Sequence, residues 1–269
     1  MKFCLINFIF VQTFKVNKMK LSENKILITG GATGIGLSLA EKFLNEGNEV
    51  LICGRREEVL IEAKKKNPNL HIKRCDVSNE TDRNKLYYWI KTEFQDLNIL
   101  VNNAGIQREI DFTRGTADIE KAIEEIKINF ESPVVLSSMF IPILRENENS
   151  AIINVSSGLA FIPLSIMPIY CATKAALHSF SISLRQQLKK TGIKVFEAIP
   201  PTVDTDLDKG ARKARGQSDF GISPNETAEA IVNGLKNDEF EIAIGKAKFL
   251  INSSKTDFEN IFSLMNKGN

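Results

Sequence analysis

From Lys25 onward, short runs rich in Ile and Val alternate with amphipathic segments, and this alternation restricts the fold more than any other feature of the chain. KILITG, EVLICG, HIKRCDV, LNILVNNAG, AIINVSS, KVFEAIPP and EIAIG read as strands. GLSLAEKFLNEG, RREEVLIEAKKK, RNKLYYWIKTEF and IEKAIEEIKINF carry apolar residues at helical spacing. A helix between successive strands returns the chain to the same end of the sheet, so the strands run parallel. Their apolar runs are continuous rather than alternating, which requires burial on both faces. The expectation is a doubly wound α/β fold, one parallel sheet with helices on both faces. No repeat, low-complexity tract or Pro/Gly/Ser-rich linker divides the chain, so residues 19–269 read as a single domain.

Residues 1–18 stand apart. Met1–Phe14 joins one lysine to an apolar run shorter than the roughly 20 residues of a membrane span, with no small-residue cleavage site after it. A second methionine, Met19, precedes the first strand. Residues 1–18 therefore read as a dispensable extension, with a membrane-surface anchor as the lesser alternative.

Between the first strand and the first helix lies Thr29-Gly30-Gly31-Ala32-Thr33-Gly34-Ile35-Gly36. A dinucleotide pyrophosphate needs a backbone turn that it can approach closely, followed by the free N–H groups of a helix start. Glycines 30, 34 and 36 meet the first need, with Thr33 and Ile35 between them, and the helix meets the second. At the end of the second strand an NAD enzyme would place a carboxylate for the adenine ribose. Here the strand ends Cys53-Gly54-Arg55-Arg56. An arginine offers the 2′-phosphate of NADP a bidentate charged partner that a carboxylate would repel. NADP is thus the expected cofactor, with Arg55 the first candidate and Arg56 its assistant.

Tyr170 and Lys174 are four residues apart in a helical segment, so phenol and ammonium lie on one face. Ser157 lies thirteen residues before Tyr170, at the end of a strand. Hydride reduction of a carbonyl leaves a developing alkoxide that needs a proton. A phenol of pKa about 10 serves poorly at neutral pH unless a nearby cation favours the phenolate. Ser157 can hydrogen-bond the substrate oxygen; Ser156 beside it is the confounding neighbour.

These motifs together resemble the short-chain dehydrogenase/reductase family, over roughly Met19 to the end of the chain. The Gly-x3-Gly-x-Gly spacing differs from the usual Gly-x-Gly-x-x-Gly of Rossmann-type folds and is similar to that family's. The resemblance implies a tetrad in which Tyr170 is general acid/base, Ser157 positions the carbonyl or alcohol, and Lys174 binds the nicotinamide ribose and tunes Tyr170. Asn129 would order a proton-relay water. It further implies cofactor contacts from Asp76 and Val77, from the Asn103-Ala104-Gly105 part of an NNAG motif, and from Val203 and Thr205. The Pro200-Pro201-Thr202-Val203-Asp204-Thr205 stretch resembles the branch labelled for D-alanine-transfer operons, a label that says little about substrate. A homodimer or homotetramer is the expected assembly. Pro133 follows Asn129 inside the same helical stretch and should kink it.

Composition narrows the alternatives. With 35 basic against 33 acidic side chains, the net charge of +2 gives no electrostatic case for nucleic acid or an anionic membrane as partner. The two histidines and four cysteines (Cys4, Cys53, Cys75, Cys171) contain no CxxC pair and suggest no metal site. The scattered cysteines read as small buried side chains of a reducing, cytoplasmic compartment. The polar segment Asp206–Ile222 corresponds to the family's lid. Its Arg212, Lys213 and Arg215 can attract an anionic substrate, although a solvated loop is the plainer reading. The Phe-rich tail from Phe249 to Met265 has helical spacing that suits core packing first, and a cover over the site or a subunit interface second. The sequence thus points to an NADP-dependent oxidoreductase acting on a small carbonyl or alcohol. A non-catalytic NADP-binding sensor or scaffold is the alternative.

Overall fold

A computed structural model describes residues 18–207, 209–216 and 221–267. The amino-terminal extension and parts of the lid segment lie outside the described residues. Seven strands form one parallel sheet: β1 (Lys25–Thr29), β2 (Glu49–Gly54), β3 (His71–Arg74), β4 (Ile99–Asn102), β5 (Ala151–Val155), β6 (Lys194–Ile199) and β7 (Glu241–Ala243). Their spatial order is β3-β2-β1-β4-β5-β6-β7, the doubly wound Rossmann-type arrangement. Each of the seven apolar runs became a strand.

The helices are α1 (Gly34–Asn45), α2 (Glu57–Lys66), α3 (Glu80–Glu93), α4 (Ile119–Ile126), α5 (Ser132–Leu144), α6 (Pro168–Leu188), α7 (Lys209–Ala214), α8 (Pro224–Lys236), α9 (Lys246–Thr256) and α10 (Phe258–Met265). Their ends follow local chemistry. Glu57 and Glu58 open α2 and Lys64, Lys65 and Lys66 close it, each charge opposing the nearby end of the helix dipole. Ser223 and Glu226 form a reciprocal capping box at α8, with Pro224 as the first helical residue.

The central strands are buried on both faces. Along β1, Ile26 and Ile28 enter one apolar cluster, with Leu39 and Phe43 of α1 and Ile231 of α8. Leu27 enters the other, with Leu86 of α3 and Phe140 of α5. The chain leaves β1 on one side for β2 and β3, then crosses back to β4 on the other side. The loops following β1 and β4 therefore diverge and open a crevice at the carboxyl ends of the strands.

One expectation is met in a particular form and another is overturned. The helical stretch of Asn129 does kink, as a π-turn over Lys127–Glu131 between α4 and α5. Pro133 has no N–H for the carbonyl four residues earlier, which is that of Asn129, so the α-pattern cannot run through. The Phe-rich tail is not core. Among the described residues α10 buries none, α9 buries only Ala247 and Ser253, and Leu264 is 68% exposed.

Candidate active site

A cleft of about 1640 Å³ occupies the crevice at the carboxyl ends of β1, β4 and β5. It exceeds the roughly 300–1,000 Å³ typical of a single small-ligand pocket. Of the residues singled out in the sequence, Gly30, Thr33, Gly34, Ile35, Arg55, Arg56, Asp76, Val77, Asn103, Ala104, Gly105, Ser157, Tyr170, Lys174, Val203 and Thr205 all line it. Gly36 and Asn129 stand behind the wall.

At one end lies the glycine turn. Gly30 and Gly34 have positive φ, +63° and +56°, which side-chain-bearing residues rarely adopt. A Cβ on Gly36 would run into the Gly30 carbonyl oxygen, so Gly36 lets the turn fold down onto its own helix. Asn103 secures the turn from β4: its amide donates to the Thr29 and Gly30 carbonyls at 2.9 and 3.1 Å. Thr29 Oγ accepts from the backbone N–H groups of Asn103 and Ala104, both at 3.0 Å. No side chain caps α1, because the Thr33 hydroxyl makes no capping hydrogen bond. The residues present fit a dinucleotide: an open helix start, a glycine-rich turn and arginines beyond it. Asp76 spends one carboxylate oxygen on the backbone N–H and hydroxyl of Ser78, at 2.9 and 2.7 Å. Thr205 packs against the turn, its methyl 3.0 Å from where a Cβ of Gly34 would stand.

At the other end Tyr170 and Lys174 project from α6. Lys174 Nζ lies 5.6 Å from the centre of the Tyr170 ring and donates to the Val155 carbonyl at 2.8 Å. Only 4% of Lys174 is exposed, and burial pushes its ammonium pKa down to about 8, against the attraction of Glu125 and Glu197. Ser157 follows β5 by two residues and caps a short 3₁₀ turn, its Oγ accepting from the Leu159 N–H at 3.1 Å. That leaves its hydroxyl hydrogen available to another acceptor. Ser156 also borders the cleft, but its hydroxyl is turned to the buried Glu197, to which it donates at 2.5 Å.

Asn129 sits in the π-turn. Its side-chain oxygen accepts from Ile106 N–H and its amide donates to the Ile106 carbonyl, both at 2.8 Å, with Thr173 Oγ at 3.3 Å. The amide is committed to holding the loop after β4 against α6.

Sequence reasoning missed three groups. Arg108 joins the cleft wall and, with Arg55, shares Glu124. Glu125 and Glu197 are fully buried carboxylates acting on Lys174. Glu197 is flagged by its place in an otherwise apolar strand, whereas nothing in the Glu124-Glu125 pair tells one from the other. The outer wall includes Leu250 of α9 with Ile261 and Leu264 of α10, so the tail covers the cleft. In the lid, Arg212 is buried and donates to the Val203 carbonyl at 3.4 Å, while Arg215 pairs with Glu109; neither is a freely solvated charge.

A parallel sheet wound in this order, with a glycine turn at one end of its crevice and a Ser-Tyr-Lys cluster at the other, defines a nucleotide-dependent dehydrogenase. The chain belongs to the short-chain dehydrogenase/reductase family of oxidoreductases: the short chain dehydrogenase family matches residues 24–216. It is 48% identical to DltE of Bacillus subtilis (strain 168), an uncharacterized oxidoreductase, over 248 residues covering 92% of this chain and 98% of that one. It is 29% identical over 215 residues to the NADP-dependent 3-hydroxy acid dehydrogenase YdfG of Escherichia coli (strain K12), covering 77% and 86%. Among solved structures, a short chain dehydrogenase from Burkholderia cenocepacia J2315 in complex with NADP superposes with a TM-score of 0.80 at 24% identity, covering 92% and 99%. One from Burkholderia phymatum in complex with NAD gives 0.81 at 19%, covering 93% and 98%. Among the described residues no helix is long and apolar enough to cross a membrane.

Proposed function

We propose that this protein interconverts a carbonyl compound and its secondary alcohol with NADP(H). The observation that carries this reading is the meeting of Ser157, Tyr170 and Lys174 on one wall of the cleft whose far end is the glycine turn. When bound, NADP(H) supplies or accepts the hydride. The backbone of residues 30–36 and the start of α1 would hold the pyrophosphate, Asp76 and Val77 would hold the adenine, and Asn103, Ala104, Gly105, Val203 and Thr205 would hold the nicotinamide half. Arg55, assisted by Arg56, would hold the 2′-phosphate, with no carboxylate at the end of β2 to oppose it.

In the reductive direction the Tyr170 hydroxyl gives its proton to the substrate oxygen as negative charge develops there. The Ser157 hydroxyl donates a hydrogen bond to the same oxygen, its own lone pair being held by Leu159. Lys174 stabilises the phenolate that remains, across the 5.6 Å between ammonium and ring. Asn129 keeps the Ile106 loop and α6 in register behind them, and with them the route by which the proton is replaced. Oxidation reverses each step. The outer wall favours a substrate with an apolar substituent, given Leu159, Leu164, Ile166 and Leu250 there.

The test is a panel of carbonyl compounds with NADPH, run on the wild type and Tyr170→Phe. The variant is expected to bind NADPH as before and to lose turnover; undiminished turnover would overturn the assignment. The proposal includes a homo-oligomeric assembly, because Ile119, Ile123 and Ile126 stand 42–46% exposed along one face of α4. Light scattering reads this directly. It also has the protein in the cytoplasm with residues 1–18 dispensable, which deletion and cell fractionation examine.

A further inference from the structure

Glu125 is completely buried on α4, and among the described residues neither carboxylate oxygen completes a hydrogen bond of ordinary length and angle. A carboxylate in such a place needs an opposite charge or a proton. Two cationic side chains act on it, Arg108 ahead of α4 and Lys174 on α6, together with the Arg108 backbone N–H. The Arg108 guanidinium is committed to the neighbouring Glu124 at 2.7 Å. Lys174 is itself buried, and the partner it donates to, the Val155 carbonyl, is neutral.

Lys174 in turn feels two carboxylates, Glu125 from α4 and Glu197 from β6. Glu197 is already engaged, one oxygen by Ser156 and the other by His178 Nδ1 at 2.7 Å. Glu125 is not. The buried face of this stretch runs through Ala122, Glu125, Ile128 and Asn129, and the Asn129 amide reaches Thr173, the residue before Lys174, at 3.3 Å. The face that joins the π-turn to α6 is thus the face that carries Glu125. Cys171, also on α6 and under the charge of Glu125, has its thiol pushed up to about 11, chiefly by burial, and is neutral at physiological pH.

We propose that Glu125 is the buried counter-charge of Lys174, a positioning residue that keeps the ammonium protonated into mildly alkaline pH. The proposal rests on the reading of Lys174 as the residue that tunes Tyr170. Burial raises Glu125 to about 7 and lowers Lys174 to about 8, which brings the two groups into the same pH range, where they titrate as a coupled pair. Once ionised, the carboxylate opposes deprotonation of Lys174, and its removal lets the proton leave at lower pH.

The test is titration of lysine ¹³Cε resonances by NMR in the wild type, Glu125→Gln, Glu125→Met and Glu125→Asp, followed by pH–rate profiles with the carbonyl substrate. Lys174 is identified by the signal missing in Lys174→Arg. In the Gln and Met variants its midpoint is expected to fall by about half a pH unit or more, with Asp restoring part of the shift. The alkaline limb of kcat should move down by the same amount, while NADPH affinity at pH 6 stays unchanged. A Lys174 midpoint unmoved in whichever of the two variants folds would overturn the proposal, even if melting temperatures change. The titration needs no turnover, so an inactive wild type would refute the assigned reaction and still leave the role of Glu125 decided by the NMR.

Discussion

Arg55 is tied to Glu124: its Nη1 lies 3.2 Å from one carboxylate oxygen, while Arg108 holds the other at 2.7 Å. The arginine offered to the cofactor's phosphate thus already has an anionic partner, brought from a helix about 70 residues away in the chain. An exposed pair of this kind is worth about 0.2–1 kcal/mol. Glu124→Gln should therefore tighten NADP binding by up to roughly fivefold and leave NAD binding unchanged, as calorimetry would read. Arg55→Ala should weaken NADP and spare NAD. Equal losses for both cofactors would remove Arg55 from the phosphate site.

Gly36 supports the glycine turn from behind. An alanine there meets the Gly30 carbonyl, a backbone atom that cannot swing aside. Overpacking of this sort costs about 1–3 kcal/mol. Gly36→Ala is expected to lower Tm by several degrees and to weaken dinucleotide binding at the same time, in thermal melts with and without NADP.

The adjacent serines should separate cleanly. Ser157→Ala is expected to reduce kcat by about a hundredfold, as loss of a transition-state hydrogen bond does, with only the modest fall in melting temperature that loss of the Leu159 cap brings. Ser156→Ala removes a donor from the buried Glu197 and should cost about 1–3 kcal/mol of stability by denaturant titration. A stable Ser156→Ala enzyme with hundredfold lower kcat would reverse the two assignments.

His178 adds a pH-dependent contribution. Its hydrogen bond to Glu197 raises its pKa above the ordinary histidine value of 6.5. The stabilisation is fully present below pH 6.5 and fades as pH rises through the raised folded-state value. His178→Gln should destabilise the protein more at pH 6 than at pH 9, by about 1 kcal/mol in difference, measured by urea unfolding at the two pH values.

Asn266 anchors the tail. Its side chain accepts from the Ser165 N–H at 2.6 Å and donates to the Pro163 carbonyl at 3.2 Å. Since α10 buries no residue, removing residues 257–269 should leave the fold and NADP binding intact and open the apolar outer wall. The expected result is a higher KM for bulky substrates, read by steady-state kinetics. A collapse in Tm would instead make the tail part of the core.

Helix α4 shows where sequence reading stops. Its isoleucines at helical spacing suggest a buried stripe, yet Ile119, Ile123 and Ile126 are exposed and the buried positions include Ala122 and Glu125. A periodic pattern marks two faces, but which one the rest of the chain covers depends on α6 and on the loop after β4. The same limit applied to the tail, whose helical spacing was compatible with core, cover or interface.

What could be read directly was local. Continuous apolar runs dictated a parallel sheet covered on both faces. Glycine spacing between the first strand and helix located the turn, helical periodicity set Tyr170 beside Lys174, and the missing N–H of Pro133 set the kink at Asn129. Each depends on a few neighbouring residues and on backbone sterics. Only tertiary structure assigned Glu124 to Arg55 and Glu125 to the interior, turned Ser156 inward, and committed the Asn129 amide to Ile106. Those outcomes follow from contacts between segments distant in the chain, where desolvation and charge pairing are settled by packing.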